Sequence, residues 1–369
     1  MPLETRMRHF FLTLTGAAVL AAVQAQAIER PRVALVGMVH GHVNGWLRQD
    51  YQSELDLVGI YEPSREVAAK YRERYELDES LFFDDLTTML DEREPQAVWV
   101  FTSTFDHEMA VEACAKRGID VIVEKPLAVT LKSAGRMAVM ARTNDIHLLT
   151  NLETTWHPSL QQAMDLAGEG EALGGINKIV CHFGHMGPVE IRCPTEFLDW
   201  LTNPVLNGGG ASADFGCYGA NIITRIMGNR RPLSVTAVFQ THKPDVYPKV
   251  DDDATIILEY PGMQGIIQAS WDWPYSRKDI HIYGRSGVIR TINETTYDIR
   301  MDHRKPPITK VAEATSATQG NAVKYYAAVL RGEINPDESL SSLETNLIAV
   351  EIIDAARESA LTGRSVKLE

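Results

Sequence analysis

Between residues 32 and 151 short apolar, β-branched runs alternate with helical patterns, and this alternation restricts the fold more than any other feature of the chain. The strand signals are RVALVG (32–37), LDLVGIYEP (55–63), AVWVFT (97–102), DVIVEKP (120–126) and IHLLTN (146–151). Helical spacing fills the intervals at about 41–52, 64–75, 84–91, 106–117 and 131–143, with Thr130 placed to cap the last helix and Gly118 to close the one before it. Strands this short and apolar are buried on both faces, which predicts a doubly wound parallel α/β sheet. Such sheets bind ligands at the carboxyl ends of their strands, here Gly37, Glu62, Thr102 to Thr104, Glu124 to Pro126 and Asn151.

Past residue 151 the alternation stops. INKIVCHFG, LSVTAVFQ, DATIILEY, GIIQASWDW, KDIHIYG and TYDIRMDH follow one another over about 176–303 with tight turns between them. Helical patterns return at 213–227, 317–331 and 341–361. The pattern predicts a second, α+β domain built on a large, mainly antiparallel open sheet. Residues 28–150 form the first domain and 151–369 the second, with the closing helices packing back on one or the other. A chain of 369 residues suits two cores better than one.

The N-terminus reads as a separate element. Arg6 and Arg8 precede the apolar FFLTLTGAAVLAAV, and AQA (25–27) supplies small residues at a cleavage point, which predicts a secretory signal over 1–27 and a periplasmic or secreted protein. Met7 separates the two arginines and spoils a twin-arginine signal. No second apolar stretch of about 20 residues follows, so no membrane span is expected after signal removal. The net charge of −13 argues against nucleic acid and anionic membrane surfaces and leaves a small molecule as the expected partner. Of the four cysteines, Cys181 and Cys193 are placed to pair across a strand end, while Cys114 and Cys217 read as buried thiols.

The loop after the first strand, GMVHGHVNG (37–45), departs from the G-x-G-x-x-G of dinucleotide sites, with Val39 and His42 where glycines belong. Gly37 is expected to make the tight turn and Gly41 to open a helix whose first amides meet a pyrophosphate. Val39 requires a loop without positive φ at that point. Glu62 ends the second strand, where a carboxylate accepts hydrogen bonds from both ribose hydroxyls and repels a 2′-phosphate, so NAD is expected. Arg65 leaves NADP open. His40 with His42, and His182 with His185, are spaced so that neither pair points both rings at one ion, and no metal is expected.

VIVEKPLAV (121–129) carries the sharpest signal, because a Glu-Lys pair ending a buried strand must be solvated, paired or functional. EKPLAVT, with TSTFDHEMA before it and NGGGASADFGCYGANIITRIMG, ASWDWPYSRKDIHIYGRSGVI and ESALTGRSVKL after it, resembles the Gfo/Idh/MocA family of oxidoreductases along almost the whole chain past the signal. The resemblance implies a Rossmann domain followed by a sheet domain. It places the family's lysine on Lys125, with Glu124 orienting the site. DFGCYGAN puts the family's first acid on Asp214, a tyrosine, Tyr218, where many members have histidine, and Asn221 in place of the last acid. Glucose-fructose oxidoreductase and the dihydrodiol and xylose dehydrogenases also carry tyrosine there.

The implied catalytic set is therefore Lys125, Tyr218 and Asp214, with the lysine cation lowering the phenol's pKa so that Tyr218 exchanges a proton with a sugar hydroxyl. The implied cofactor contacts are Gly37, Val39, His40, Gly41, His42, Glu62, Thr102, Ser103, Thr104, His107, Glu124 and Lys125. The family's N-x-R-[FY]-x-P run appears as ETTWHP (153–158), which substitutes Glu153 and Thr155 at the polar positions. Substrate contacts are expected from Glu153, Trp156, His157, Asp214, Tyr218 and Trp271, the last sharing a strand face with Trp273 and able to stack on a sugar or to fill the core.

Three functions stay open at this point. The first is an NAD(P)-dependent oxidoreductase acting on a sugar, polyol or related carbohydrate. The second uses transient oxidation by the same cofactor to cleave a glycoside by elimination, and the third is a non-catalytic nucleotide or sugar sensor. A broad exposed sheet in the second domain points to a homodimer or tetramer.

Overall fold

Burial on both faces dictates the first layer of the structure. In this computed structural model, which describes residues 30–168, 173–313, 316, 318 and 320–368, the strands are β1 (Arg32–Val36), β2 (Asp56–Tyr61), β3 (Phe82–Phe83), β4 (Ala97–Val100), β5 (Asp120–Glu124) and β6 (Leu148–Asn151). Between them run α1 (Val43–Arg48), α2 (Arg65–Tyr75), α3 (Leu86–Arg93), α4 (His107–Ala115) and α5 (Leu131–Thr143). All six strands are parallel in the order β3-β2-β1-β4-β5-β6, the doubly wound arrangement that the alternation predicts. The segment expected to be an export signal lies outside the described residues.

Local chemistry sets the helix starts. Ser64 accepts the Val67 N–H at 3.3 Å and Asp85 the Thr88 N–H at 2.7 Å, while Thr130 accepts from Ser133 at 3.2 Å as its sequence position predicts. Gly118 takes φ +66° in the turn after α4. Two elements differ from expectation. The first helix is only six residues long, because Gly41 and Gly45 weaken the pattern and the chain breaks into a 3₁₀ turn at Tyr51–Ser53. The two-residue β3 is too short to show any periodicity in sequence.

The second domain comprises α6 (Pro158–Gly168), β7 (Ile176–Gly184), α7 (Thr195–Leu201), α8 (Pro204–Asn207), α9 (Ala211–Asp214) and α10 (Gly216–Ile226), followed by β8 (Ser234–Gln240), β9 (Asp253–Tyr260), β10 (Met263–Ser270), β11 (Arg277–Gly284), β12 (Val288–Thr291), β13 (Thr296–Arg300) and β14 (Ile308–Val311). It closes with α11 (Ala322–Leu330), α12 (Leu343–Thr362) and β15 (Val366–Lys367). Nine strands form one sheet in the order β14-β13-β12-β11-β7-β10-β9-β8-β15, antiparallel throughout except where β7 and β10 run parallel. Ile179, Cys181, Phe183, Ile267, Ile280 and Ile282 point from it into a core shared with α10 and α12. Gly219 of α10 lets that helix lie close on the sheet, since a Cβ there would sit 2.6 Å from Ile267 Cγ2. The opposite face, including Val180, His182, Gln264 and Val238, is half-buried or exposed.

The last helices pack on both domains. Tyr326 of α11 meets Trp99 edge-on at 4.9 Å beneath the first sheet and donates to the Thr150 carbonyl at 3.3 Å. Leu347 and Val350 of α12 join the first domain's core, Ile352 and Ile353 join the second's, and Arg357 donates to the Val129 carbonyl at 2.6 Å. The expected strand face holding Trp271 and Trp273 does not exist, because β10 ends at Ser270 and both lie in the bend beyond it. All four cysteines are free thiols, so Cys181 and Cys193 are not paired.

Candidate active site at the strand ends

The turn after β1 is the first element of the site. Gly37 has φ +78°, and a Cβ there would lie 2.6 Å from Thr102 Cγ2, so only glycine lets β1 and β4 end side by side. Val39 avoids positive φ, as its branched side chain requires. Gly41 does not open the helix: α1 starts at Val43, and the His42 amide is held by His40 Nδ1 at 3.2 Å instead of being free for a phosphate. Glu62 is buried at the end of β2, with Oε2 accepting the Met38 N–H at 2.8 Å and Oε1 the Ser64 N–H at 2.9 Å. Burial raises its pKa against the pull of those amides. It opens on a cleft of about 530 Å³ with Arg65, Arg72, Phe82 and Phe83, so the unexpected β3 forms part of the wall.

Two buried histidines carry unmet polar atoms beside these strand ends. His40 Nδ1 accepts the His42 N–H, which puts the ring hydrogen on Nε2, and that donor has no partner. His107 donates Nδ1–H to the Leu127 carbonyl at 3.1 Å, leaving Nε2 as an acceptor without a partner. Burial holds both rings neutral, with the His40 pKa well below the ordinary histidine value and that of His107 at about 4. A cradle that excludes a Cβ, a carboxylate at the ribose position and unmet buried polar atoms together fit a dinucleotide. Ser103 and Thr104 are committed within the chain, to Asp106 at 2.6 Å and Asn207 at 3.2 Å, and the Thr102 hydroxyl donates to the Ser103 carbonyl at 3.0 Å.

Lys125 follows β5 and projects into the second domain, where its ammonium pairs with Asp214 at the end of α9. Both are nearly inaccessible, 5% and 7% exposed at the side chain. Burial opposes each charge, but their mutual attraction prevails, raising the lysine pKa and lowering that of Asp214. Trp271 is fully buried and donates its indole N–H to Asp214 Oδ2 at 2.9 Å, so it positions the acid and does not stack on a sugar. The Tyr218 ring lies 5.6 Å from Lys125 Nζ and 5.9 Å from Lys278 Nζ. Contrary to expectation its pKa is raised well above 10, because burial and then Glu153 outweigh the cations.

Lys278 of β11 pairs with Glu153 and holds the carboxyl down at about 2 against the effect of burial. Sequence reasoning passed over Lys278, although it stands inside the quoted SRKDIHIYG run. Glu153 and Trp156 line a second cleft, of about 370 Å³, together with His42, Glu124 and Asn151. His157 is buried beside Leu160, Phe183 and Lys278 around a void of about 10 Å³, with a ring nitrogen within 4.8 Å of carboxylate oxygens of Glu153 and Glu294. Asn221 is structural, donating to the Leu340 carbonyl at 2.8 Å and to Asn346 at 3.1 Å where α10 packs on α12.

The spacing argument needs correction for His40 and His42, whose ligand atoms lie within 4.8 Å of each other and of Glu124; His182 groups instead with Asp279 and His281, and His157 with Glu153 and Glu294. In the first cluster both Nδ1 atoms are engaged in hydrogen bonds, and in the second Arg277 grips Asp279 through two bonds of 2.8 and 2.9 Å.

Residues 31–151 match the NAD-binding Rossmann domain of the Gfo/Idh/MocA oxidoreductase family and residues 160–290 its C-terminal domain, together more than half of the chain. A trans-1,2-dihydrobenzene-1,2-diol dehydrogenase of Macaca fuscata fuscata is 21% identical over 336 residues, covering 89% of this chain and 95% of that protein. Among solved structures, an aldose-aldose oxidoreductase from Caulobacter crescentus complexed with glycerol superimposes with a TM-score of 0.77 at 21% identity, covering 92% of this chain and 100% of the other. An inositol dehydrogenase homolog from Azotobacter vinelandii complexed with NAD⁺ gives 0.78 at 18% identity over 93% and 98% of the two chains. With a six-stranded parallel sheet, a nine-stranded second sheet and the lysine motif at the junction, the chain belongs to the Gfo/Idh/MocA family of NAD-binding oxidoreductases.

Proposed function

We propose that the chain is an NAD-dependent dehydrogenase acting on a hydroxyl of a sugar, polyol or related carbohydrate. The observation that carries this reading is the buried Lys125–Asp214 pair set against Tyr218 at the ends of the dinucleotide-binding strands. A nicotinamide bound there supplies the hydride acceptor. Asp214, anchored by Trp271, keeps Lys125 charged, and Lys125 donates a hydrogen bond to the substrate oxygen. Tyr218, which holds its proton firmly, gives it to the forming alkoxide during carbonyl reduction and takes it back during oxidation. Glu62 supports NAD over NADP, since its buried carboxylate in this cleft would repel a 2′-phosphate.

Denaturing the purified protein and identifying the released nucleotide by absorbance and mass tests the first half of this reading. Incubating the native protein with a panel of sugars, polyols and glycosides and following NADH formation tests the second. Net NADH formation with one class supports dehydrogenation, and cleavage of a glycoside without net reduction overturns it. We further propose that segment 1–27 directs export and that the open face of the nine-stranded sheet pairs with a second copy. Cell fractionation and light scattering check these two statements.

A further inference from the structure

The cleft lined by Glu153 and Trp156 carries an acid–base group that hydride transfer does not use. His42 has a side chain 34% exposed, and Glu124 behind it is fully buried. Glu124 is fixed from both sides. Its Oε1 accepts the Trp99 indole N–H at 3.2 Å and the Asn151 amide at 2.8 Å, which leaves Oε2 for His42 Nδ1 at 2.7 Å. The hydrogen therefore sits on Nδ1 and the lone pair on Nε2, the tautomer a general base requires. His42 and Glu153 line the same cleft, and Glu153 helps to hold the proton on Tyr218, so one carboxylate borders both acid–base centres. Lys125 and Tyr218 retain their protons and are suited to hold a carbonyl oxygen, not to accept a proton from carbon.

Resting on the dehydrogenase reading, we propose that His42 is a general base that removes the proton from the carbon beside the carbonyl of a keto sugar, and that Glu124 is its positioning residue. The C–H bond breaks, its proton passes to His42 Nε2, and its electron pair becomes the double bond of an enolate. The enolate oxygen is held by hydrogen bonds from Lys125 and Tyr218. Return of a proton restores the ketone with no net oxidation or reduction, so the protein exchanges hydrogen at that carbon in addition to transferring hydride.

The test uses the protein with its nucleotide, incubated in deuterium oxide with a series of keto-inositols, which carry no glycosidic leaving group beside the enolate. Those that oxidise bound NADH are scored for deuterium beside the carbonyl by NMR and mass spectrometry. Wild-type protein is expected to exchange well above the buffer rate. His42→Gln should lower exchange by about 10²-fold or more when expressed relative to the hydride transfer of the same variant. In Glu124→Gln, Trp99 and Asn151 still require an oxygen, so the amide N–H₂ turns to His42 and drives the ring hydrogen onto Nε2. Exchange should then fall although the ring is in place, and carbethoxylation of His42, mapped by mass spectrometry, should fall with it. A cooperative thermal transition like that of the wild-type protein shows that each variant is folded. Wild-type exchange at the buffer rate on a keto sugar that the protein reduces, or undiminished exchange in His42→Gln, overturns the proposal. If no keto sugar oxidises bound NADH, the dehydrogenase reading fails, and unchanged carbethoxylation in Glu124→Gln still refutes the His42–Glu124 arrangement.

Discussion

Tyr218 illustrates how far a residue's type determines its chemistry. A phenol beside a lysine suggests a lowered pKa, but full burial and the nearby Glu153 and Asp214 reverse the sign. The phenol is thus a strong holder of its proton. Tyr218→Phe should lower kcat by about 10²–10⁴-fold, the usual worth of a positioned acid–base group, with nucleotide still recovered from the denatured protein. Lys125→Met should cost as much or more, because it also leaves Asp214 buried without its cation. His107 gives a pH prediction. Its folded pKa of about 4 lies below the ordinary 6.5, so the unfolded chain binds the proton first. Its contribution to stability is complete above pH 6.5, is lost as pH falls toward 4, and is constant below that. The loss amounts to about 3 kcal/mol, and His107→Gln should remove it when denaturant unfolding is compared at the two ends of this window. Neither effect was legible in sequence, since burial by residues distant in the chain produces both.

At the scale of elements, the loop after β1 separates two glycines that look alike in sequence. Gly37 combines positive φ with a 2.6 Å approach to Thr102, whereas a Cβ on Gly41 would meet only the Phe197 ring at 3.8 Å. Gly37→Ala should therefore lower stability by about 1–3 kcal/mol and abolish nucleotide retention, while Gly41→Ala should keep both. Thermal unfolding and nucleotide release measure the contrast, and equal damage at both positions would refute the placement. Helix and strand positions were largely legible because each buried face repeats with its own period. The α5 start at Thr130 was legible as well, since capping uses only neighbours in sequence. The two-residue β3 and β15 were not, because so short a strand exists only by pairing with a neighbour already in place.

Across the whole molecule the active site depends on a contact between domains. Lys125 comes from the first and Asp214, Tyr218 and Lys278 from the second, and α12 packs into both cores. The two sheets should consequently unfold in one cooperative step. Ile352→Ala, which empties a buried position on α12, should cost about 2–5 kcal/mol and lower a single calorimetric transition. Two separate transitions would show that α12 does not couple the domains.

The sequence by itself determined the parallel sheet and the mainly antiparallel sheet that follows it, because both rest on local periodicity. The resemblance to the family, not spacing along the chain, named Lys125, Asp214 and Tyr218 as an expected set. The tertiary structure alone decided what those groups face. It set Trp271 behind Asp214, joined Lys278 to Glu153 and placed Glu124 against His42. The physical reason is that charge state and hydrogen-bond partner depend on burial and on atoms brought together from elements far apart in sequence, which no spacing along the chain encodes.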